Sequence, residues 1–301
     1  MCAPPGALEG LGLGDSATMR TPFCGDCAAR RKNDGRVGGS HACPVWSAAQ
    51  LAFERETERA VERCFAVIAA LTMVASPVPG ASLPHATYKV LFEDPALLVV
   101  DKGHGLLTVP GIGPEKADCL LSRLRADGYD EVEHAPHRLD RDTSGIVLLG
   151  RTPAAHRSLA YQFQERLASK LYEALVLGWP DADFGEVDAP IGKAPGADGG
   201  HARMRILPDG RPSVTRWEVA GRRRRQDDGA PYARLALRPV TGRAHQLRLH
   251  CAHLGHPILG DALHGDGPEW PHLRLCLHAS ALNFTHPTSD APMAVTSPTP
   301  F

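Results

Sequence analysis

From residue 88 onward, apolar side chains recur in short runs that turn-forming residues separate. The segment 232–238 shows the pattern most clearly, because Ala233, Leu235 and Leu237 share one face and alternate with the residues of the other. A two-residue period is typical of a strand with one buried face. Turn residues predict further strands over 89–92, 97–100 and 171–177, and on either side of Pro208-Asp209-Gly210, with ends near Ile206 and Ser213.

Three segments show a helical pattern instead: 115–126, with Gly128 as its stop, the residues after Thr152, and 241–254. Thr152 is a capping residue, with Pro153 at the first helical position. The inward residues are Leu120, Leu121 and Leu124 in the first helix and Leu159, Phe163 and Leu167 in the second. Strands outnumber helices and arrive in hairpins. We therefore expect an α+β fold, with a mixed, mainly antiparallel sheet and flanking helices.

The chain changes character near residue 84. Residues 1–84 lack clear periodicity apart from a helical pattern over 46–74, and Ser76-Pro77-Val78-Pro79-Gly80 is typical of a linker. We expect 1–84 to be an N-terminal extension, helical or disordered, and 85–301 to form one folded domain. Met73 lies just before the linker, so a start site assigned too far upstream explains the extension equally well.

Composition places few limits on partners. The 301 residues are 43% hydrophobic and 22% charged, which is typical of a globular chain. The net charge is −1, so a nucleic-acid surface would need local clustering of the 33 Lys and Arg. Eight cysteines are too sparse for a disulfide scaffold, there is no secretory signal, and the apolar stretch 64–75 is too short to span a bilayer. We therefore expect a cytoplasmic protein without a membrane partner.

The strongest chemical signal is His137-Arg138-Leu139-Asp140-Arg141-Asp142-Thr143-Ser144-Gly145, which precedes the apolar run 146–149. It places the Asp140 carboxylate between two arginines in a polar turn before a buried strand. Catalytic groups often occupy such positions, because a rigid scaffold holds them. An ionised carboxylate held by cations is a candidate nucleophile. The structural alternative is a turn aspartate that caps backbone amides.

Five motifs, in order, resemble those of the RluA-type pseudouridine synthases. They are Leu97-Leu98-Val99-Val100-Asp101-Lys102, the segment 137–145, Lys170-Leu171-Tyr172-Glu173-Ala174-Leu175-Val176, Thr241-Gly242-Arg243-Ala244-His245-Gln246-Leu247-Arg248 with its continuation to Asp261, and Arg274-Leu275-Cys276-Leu277-His278-Ala279. The chain departs from the family pattern at Gly103, where relatives usually have Pro. The resemblance implies that 85–301 is a pseudouridine synthase catalytic domain of the compact, RluA-like branch.

The activity that this resemblance implies is isomerisation of specific uridines in structured RNA to pseudouridine. The N-glycosidic bond breaks, the base turns, and C5 is rejoined to the sugar, so we expect no cofactor. We expect a monomer whose partner is RNA rather than DNA, with 23S ribosomal RNA, the transfer RNA anticodon stem-loop or both as targets. The alternative is a non-catalytic RNA-binding protein on the same fold.

The resemblance assigns catalysis to Asp140, Tyr172 and Arg248. Asp140 attacks the sugar or the base, or abstracts a sugar proton. Arg248 forms an ion pair with Asp140, because a neighbouring guanidinium favours the charged carboxylate; its alternative is a solvated surface charge. Tyr172 stacks on the target uracil and is a candidate general base for the C5 proton; its alternative is a core tyrosine.

The resemblance also places Arg138 in the space that a flipped uridine vacates. A phosphate contact or a salt bridge with Asp142 are the alternatives. The other residues assigned to substrate binding are Arg141, Thr143, Lys170, Arg243, His245 and Gln246. The basic run 222–225 is typical of a solvated hairpin tip, although contact with the RNA backbone is compatible with it.

Two other classes of function are disfavoured. A zinc site at Cys24, Cys27, His41 and Cys43 has a His-x-Cys half whose spacing fits zinc poorly, and we expect no metal. The histidines near 245–256 are explained by packing and RNA contacts. The segment 137–140 faintly resembles a kinase catalytic loop, but a glycine-rich phosphate loop on a strand pair is absent from the sequence.

Overall fold

One nine-stranded sheet organises the part of the chain that the computed structural model describes, residues 87–195, 203–265 and 274–301. The strands are β1 (Tyr88–Glu93), β2 (Leu97–Lys102), β3 (Ser144–Gly150), β4 (Ser169–Leu177), β5 (Phe184–Asp188), β6 (Ile191–Ala194), β7 (Arg203–Ile206), β8 (Val214–Arg224), β9 (Pro231–Pro239), β10 (Leu277–Thr285) and β11 (Pro292–Thr296). Of these, β6 and β7 form a separate two-stranded sheet. The helices in these residues are α1 (Leu120–Ala126), α2 (Pro153–Gln164) and α3 (Gln246–His253), with a 3₁₀ turn at Pro114–Lys116. The extension 1–84, with Met73 and the candidate zinc ligands, lies outside the described residues.

The strand order is β1-β2-β3-β10-β4-β9-β8-β5, and β11 also pairs with β10. All pairings are antiparallel except that of β3 with β10, where Ser144 faces His278 and Gly145 faces Ala279. The predicted mixed, mainly antiparallel sheet with helices is confirmed. β10 joins two halves of the sheet, β1 to β3 on one side and β4, β9, β8 and β5 on the other.

The sheet is covered on both faces around β2 and β3. Along these strands, alternate residues such as Val100 and Val147 join the cluster that includes α1, and their neighbours Val99 and Ile146 join the cluster that includes α2. Two covered faces explain why these strands are continuous apolar runs rather than alternating ones. The predicted alternation at 232–238 is confirmed, because its apolar face on β9 is at most 1% exposed.

The helices differ from prediction mainly at their ends. The predicted helix 115–126 begins only at Leu120, because Cys119 forms a capping box with Ser122. Thr152 Oγ1 accepts the amide of Ala155 at 3.1 Å, which confirms the cap of α2. The helix predicted over 241–254 is α3, five residues shorter at its start. No helix within the described ranges is long and apolar enough to cross a membrane.

Leu167 was predicted on the inward face of α2, and this is wrong. The helix ends at Gln164, and Arg166 then adopts a left-handed conformation with φ of 60°. This reversal leaves Leu167 exposed, while Leu159 is buried and Phe163 packs against the core as predicted.

Two glycines place the elements that lead to the site. Gly145 has φ of 117°, and a Cβ there would lie 2.4 Å from the carbonyl oxygen of Ala279 on β10. Only glycine therefore lets β3 begin beside β10. Gly103 donates its amide to Thr87 O at 2.5 Å, and its Cβ would lie 2.6 Å from the same oxygen. A proline at this position would have no amide to donate and would clash there.

Candidate active site

A cavity of about 790 Å³ lies between the segment 137–143, which we call the signature loop, β4 and the turn that leads into α3. Nine of the ten predicted site residues line it: Asp140, Tyr172, Arg248, Arg138, Thr143, Lys170, Arg243, His245 and Gln246. Arg141 lines a second cavity instead. The fold therefore brings together residues that are more than 100 positions apart in sequence.

The backbone on both sides of Asp140 is fixed. Thr108 Oγ1 donates to Leu139 O at 2.9 Å and accepts from Leu139 N at 3.1 Å, and Thr143 N donates to Asp140 O at 3.2 Å. The Asp140 carboxylate is half-buried and accepts no hydrogen bond from the residues that the structure describes. The alternative of a turn aspartate that caps amides is therefore wrong. The carboxylate lines the cavity on a rigid loop.

Arg248 is held by Asp261 rather than by Asp140. Its Nε and Nη2 donate to the two carboxylate oxygens of Asp261 at 2.8 and 2.5 Å, and the two side chains are only 4% and 1% exposed. Burial opposes the charged form, but the hydrogen bonds and charge of Asp261, with the charge of Asp140, raise the pKa of Arg248. The predicted ion pair with Asp140 is wrong, because a bidentate partner occupies the guanidinium. The solvated alternative is also wrong, and Arg248 is a buried positive charge in the wall that Asp140 shares.

Tyr172 lies in β4 where two apolar clusters meet. It is half-buried and packs against both clusters. Burial, and then the negative charge of Asp140, raise the pKa of the Tyr172 hydroxyl above its usual value. The phenol is therefore protonated at neutral pH, and it is close enough to Asp140 for that charge to act on it.

The two arginines beside Asp140 have different surroundings. Arg138 is exposed and lines the same cavity as Asp140. Its alternative salt bridge with Asp142 is wrong, because Asp142 pairs with Arg141, with 3.1 Å between Oδ1 and Nε. Arg138 therefore lines the cavity of Asp140, whereas Arg141 lines the second cavity.

Two further basic residues, Lys170 and Arg243, give the cavity a cationic lining. Burial, and then the charge of Arg166, lower the pKa of Lys170, and burial followed by neighbouring arginines lowers that of Arg243. His245 precedes α3 with φ of 56°, and its Nδ1 lies 2.8 Å from His264 Nε2. Burial lowers the pKa of His245, so the ring is neutral at neutral pH. Such a lining suits a polyanion more than a neutral ligand.

Gln246 has a structural function. Its Oε1 accepts from Thr241 Oγ1 at 2.7 Å and from Arg243 N at 2.9 Å, and its Nε2 donates to Thr215 Oγ1 at 3.0 Å and to a backbone carbonyl of β8 at 2.9 Å. These bonds use its full hydrogen-bonding capacity. The prediction that Gln246 binds substrate is therefore wrong for this geometry, because the side chain orders the turn before α3. Thr143 is likewise buried, at 3% exposure.

Sequence reasoning overlooked two residues that hold the site. His137 Nε2 accepts the amide of Leu148 at 2.9 Å and its ring stacks on Phe163 at 4.2 Å, which ties the signature loop to β3 and α2. Burial, and then the charge of Lys170, lower the pKa of His137 to about 3. Asp261 ends the fourth family motif, but we assigned it no function from the sequence. Its place in that motif was the one sequence feature that could have indicated its importance.

The sequence features that we did not assign to the site, including the basic run 222–225, do not line the cavity. The run 222–225 lies at the end of the β8–β9 hairpin, where Arg222 pairs with Asp183 at 2.7 Å and Arg225 pairs with Asp227 and Asp228. Asp183-Phe184-Gly185 has the letters of a kinase metal-binding motif, but it begins β5 at the edge of the sheet. Among the described residues, no group of three or more His, Cys, Asp or Glu is arranged to hold a metal ion.

Comparison with known proteins gives a consistent result. A family model described as RNA pseudouridylate synthase matches residues 96–253, which include Asp140, Tyr172 and Arg248. The dual-specificity RNA pseudouridine synthase RluA of Vibrio vulnificus is 41% identical over 204 residues, covering 67% of this chain and 79% of that protein. The protein of the same name in Escherichia coli K12 is 39% identical over 216 residues, covering 70% of this chain and 93% of that protein.

Two solved human structures share the fold. RNA Pseudouridylate Synthase Domain Containing 1 superposes with a TM-score of 0.61 and 29% identity, covering 73% of this chain and 87% of that one. RNA Pseudouridylate Synthase Domain Containing 4 superposes with a TM-score of 0.55 and 24% identity, covering 70% and 88% of the two chains. The second likeness supports the fold alone.

Proposed function

Because this chain belongs to the RNA pseudouridylate synthase family and is an RNA pseudouridine synthase, we propose that Asp140 is its catalytic carboxylate. The observation that carries the proposal is the isolation of this side chain. It is half-buried in a cavity with Tyr172, Arg138 and Arg248, and no described residue donates a hydrogen bond to it. A rigid loop with an uncommitted carboxylate suits a group that must react with substrate.

The reaction breaks the bond between uracil N1 and sugar C1′, joins C5 to C1′, releases the proton from C5 and leaves N1 with a proton. Asp140 has three possible actions that fit its position: attack at the sugar, attack at the base, or removal of a sugar proton. Each requires the ionised form. Arg248, fixed by Asp261, supplies a positive charge in the wall of the same cavity without occupying the Asp140 carboxylate.

Tyr172 stacks on the target uracil and takes part in removal of the C5 proton. Its raised pKa supports the neutral phenol as the resting form. A neutral phenol accepts a proton only as its own proton leaves, and Asp140 is the anionic group whose charge reaches the hydroxyl. Arg138, exposed at the same cavity, enters the space that the flipped uridine leaves.

The RNA targets we propose are 23S ribosomal RNA and the transfer RNA anticodon stem-loop. The bacterial relatives are named dual-specificity enzymes, which supports two classes of RNA. Unpaired loops suit the cavity, since their bases leave the stack at low cost. We further propose that the protein acts as a cytoplasmic monomer on RNA and not on DNA, without a cofactor.

Release of tritium from RNA labelled at uracil C5 tests the assignment of Asp140. Asp140→Asn keeps the shape of the side chain but removes its charge, so tritium release should fall below detection while RNA affinity stays within a few-fold. Asp130→Asn, at an exposed position outside both cavities, is the matched control and should keep full activity.

Retained activity in Asp140→Asn would mean that another group carries the chemistry. Mapping of pseudouridines in total RNA from cells with and without the protein identifies the target position.

A further inference from the structure

A second cavity of about 490 Å³ adjoins the one that holds Asp140. Arg248 lines both cavities, and the signature loop contributes Asp140 to the first and Arg141 with Asp142 to the second. The residues 104, 262–263 and 274–275 complete most of its lining. The two cavities therefore share the signature loop and Arg248 as parts of their walls.

The second cavity has an excess of positive charge. Arg141, Arg274 and Arg248 line it against one carboxylate, Asp142, which Arg141 already neutralises. Arg248 is neutralised by Asp261. This leaves Arg274 as the cation to explain.

Arg274 is half-buried, and no carboxylate of the described residues lies within ion-pair distance of it. Its Nη2 donates to Ser144 Oγ and its Nε to Leu275 O at 3.4 Å, which are both neutral groups. Its guanidinium also lies 5.5 Å from the centre of the Phe301 ring, and Asp101 acts on it only through its charge, without an ion pair. A partly buried guanidinium without an ion-pair partner is costly. In the wall of a cavity, it indicates an anionic ligand.

A chain of buried hydrogen bonds holds Arg274 in place. Ser144 Oγ, which accepts from Arg274, lies 2.8 Å from His278 Nδ1, and His278 Nε2 lies 3.2 Å from Ser297 Oγ. Ser297 Oγ donates to Asp101 Oδ2 at 2.8 Å. The guanidinium is therefore ordered before any ligand arrives, which lowers the entropic cost of binding.

On the basis of the proposed function, we propose that the second cavity binds a phosphodiester group of the RNA strand next to the target uridine, through Arg274 and Arg141. The planar fork of an arginine matches phosphate oxygens, and a phosphate beside Arg141 would compete with Asp142 for it. With the target base beside Asp140, the strand on one side of it continues into the second cavity. The contact holds the strand while the base leaves its stack.

The test is a double-mutant cycle of RNA affinities, in which one change removes the two arginine charges and the other removes a single phosphate charge. The RNA is a stem-loop that the unaltered protein converts, made with a single neutral methylphosphonate at the linkage before or after the target uridine. One of these two RNAs should bind the unaltered protein about tenfold or more weakly. The Arg141→Gln/Arg274→Gln protein should bind unmodified RNA as weakly, and it should not distinguish that methylphosphonate RNA from unmodified RNA.

Salt dependence and a matched variant give independent readouts. The slope of log affinity against log salt should fall by about 0.7 for each lost phosphate contact. Arg125→Gln removes the same charge at an exposed position outside both cavities, and it should keep the affinity and the response to methylphosphonate. The double variant should lose affinity for unmodified RNA, whereas Asp140→Asn should lose the rate of tritium release and keep its affinity. Failure of the Asp140 assignment is thereby distinguished from failure of the phosphate site.

Unchanged affinity and salt slope in the double variant would overturn the phosphate site, as would additive effects of the two changes. Arg274→Gln removes a bond to Ser144, so its fold is checked by thermal unfolding. If that variant does not fold, Arg141→Gln alone decides, since this side chain is 64% exposed and, among the described residues, pairs only with Asp142. A smaller methylphosphonate effect in Arg141→Gln supports the site, and an effect equal to that of the unaltered protein contradicts it.

Discussion

Removal of the Asp261 carboxylate should destabilise the protein more than a typical surface substitution. Asp261 and Arg248 are 1% and 4% exposed and share two hydrogen bonds. Asp261 also accepts the amides of Leu263 and His264 at 3.0 and 3.1 Å. Loss of one partner of a buried pair leaves the other charge uncompensated and costs about 3–5 kcal/mol. For a domain of this size, Asp261→Ala should lower Tm by about 6–20 °C.

The control for this prediction removes both charges. Arg248→Met with Asp261→Leu replaces the pair with apolar groups of similar volume, which should recover most of the lost stability. This double variant should still be inactive, because the positive charge that Arg248 places in the wall of the cavity beside Asp140 is gone. Guanidinium unfolding followed by tryptophan fluorescence gives the free energies, and tritium release gives the activity. A loss below about 1 kcal/mol in Asp261→Ala would refute the reasoning on stability, and an active double variant would refute the electrostatic function of Arg248.

Three other substitutions examine separate parts of the site. Tyr172→Phe should bind RNA normally and release tritium about 100-fold more slowly or worse; near-normal turnover would limit the residue to stacking. His137 has a pKa of about 3 when folded against about 6.5 unfolded. Its folded pKa is the lower one, so its contribution to stability is complete above pH 6.5 and falls by about 1.4 kcal/mol per pH unit below that. Urea unfolding from pH 7.5 to 4.5 should therefore show a weaker pH dependence in His137→Asn, and an unchanged dependence would contradict the assignment. Gly145→Ala should cost about 2 kcal/mol or more, because its Cβ would meet Ala279 O at 2.4 Å. Gly229→Ala, with φ of 73° and nothing within 4 Å, measures the backbone strain alone.

Local patterns in the sequence were sufficient to predict most of the secondary structure. The period of the residues around Leu235 and the cap formed by Thr152 depend on neighbours a few positions away, and both are as predicted. Leu167 was misplaced because a left-handed residue, Arg166, ended the helical geometry first. Arginine rarely adopts that conformation, so residue preferences did not predict the end of the helix there.

The sequence predicted which residues form the candidate site better than it predicted their contacts. The family motifs identified Asp140, Tyr172 and Arg248, and all three line one cavity. The partner of Arg248 was mistaken, because Asp140 and Asp261 are both plausible anions in the sequence and only distance separates them. Gln246 was assigned to substrate for a related reason. Two of its four hydrogen bonds reach β8, 31 and 32 positions away, and no local pattern in the sequence indicates those two.

The central place of β10 in the sheet affects when this enzyme acquires activity during synthesis. β10 is the only described strand that pairs with both β3 and β4, and residues 277–285 leave the ribosome after all the elements that carry Asp140, Tyr172 and Arg248. A nascent chain that ends before residue 277 would have both halves of the active site without the strand that aligns them. Conversion of uridine should therefore begin only after residues 277–285 have left the ribosome and paired with both β3 and β4.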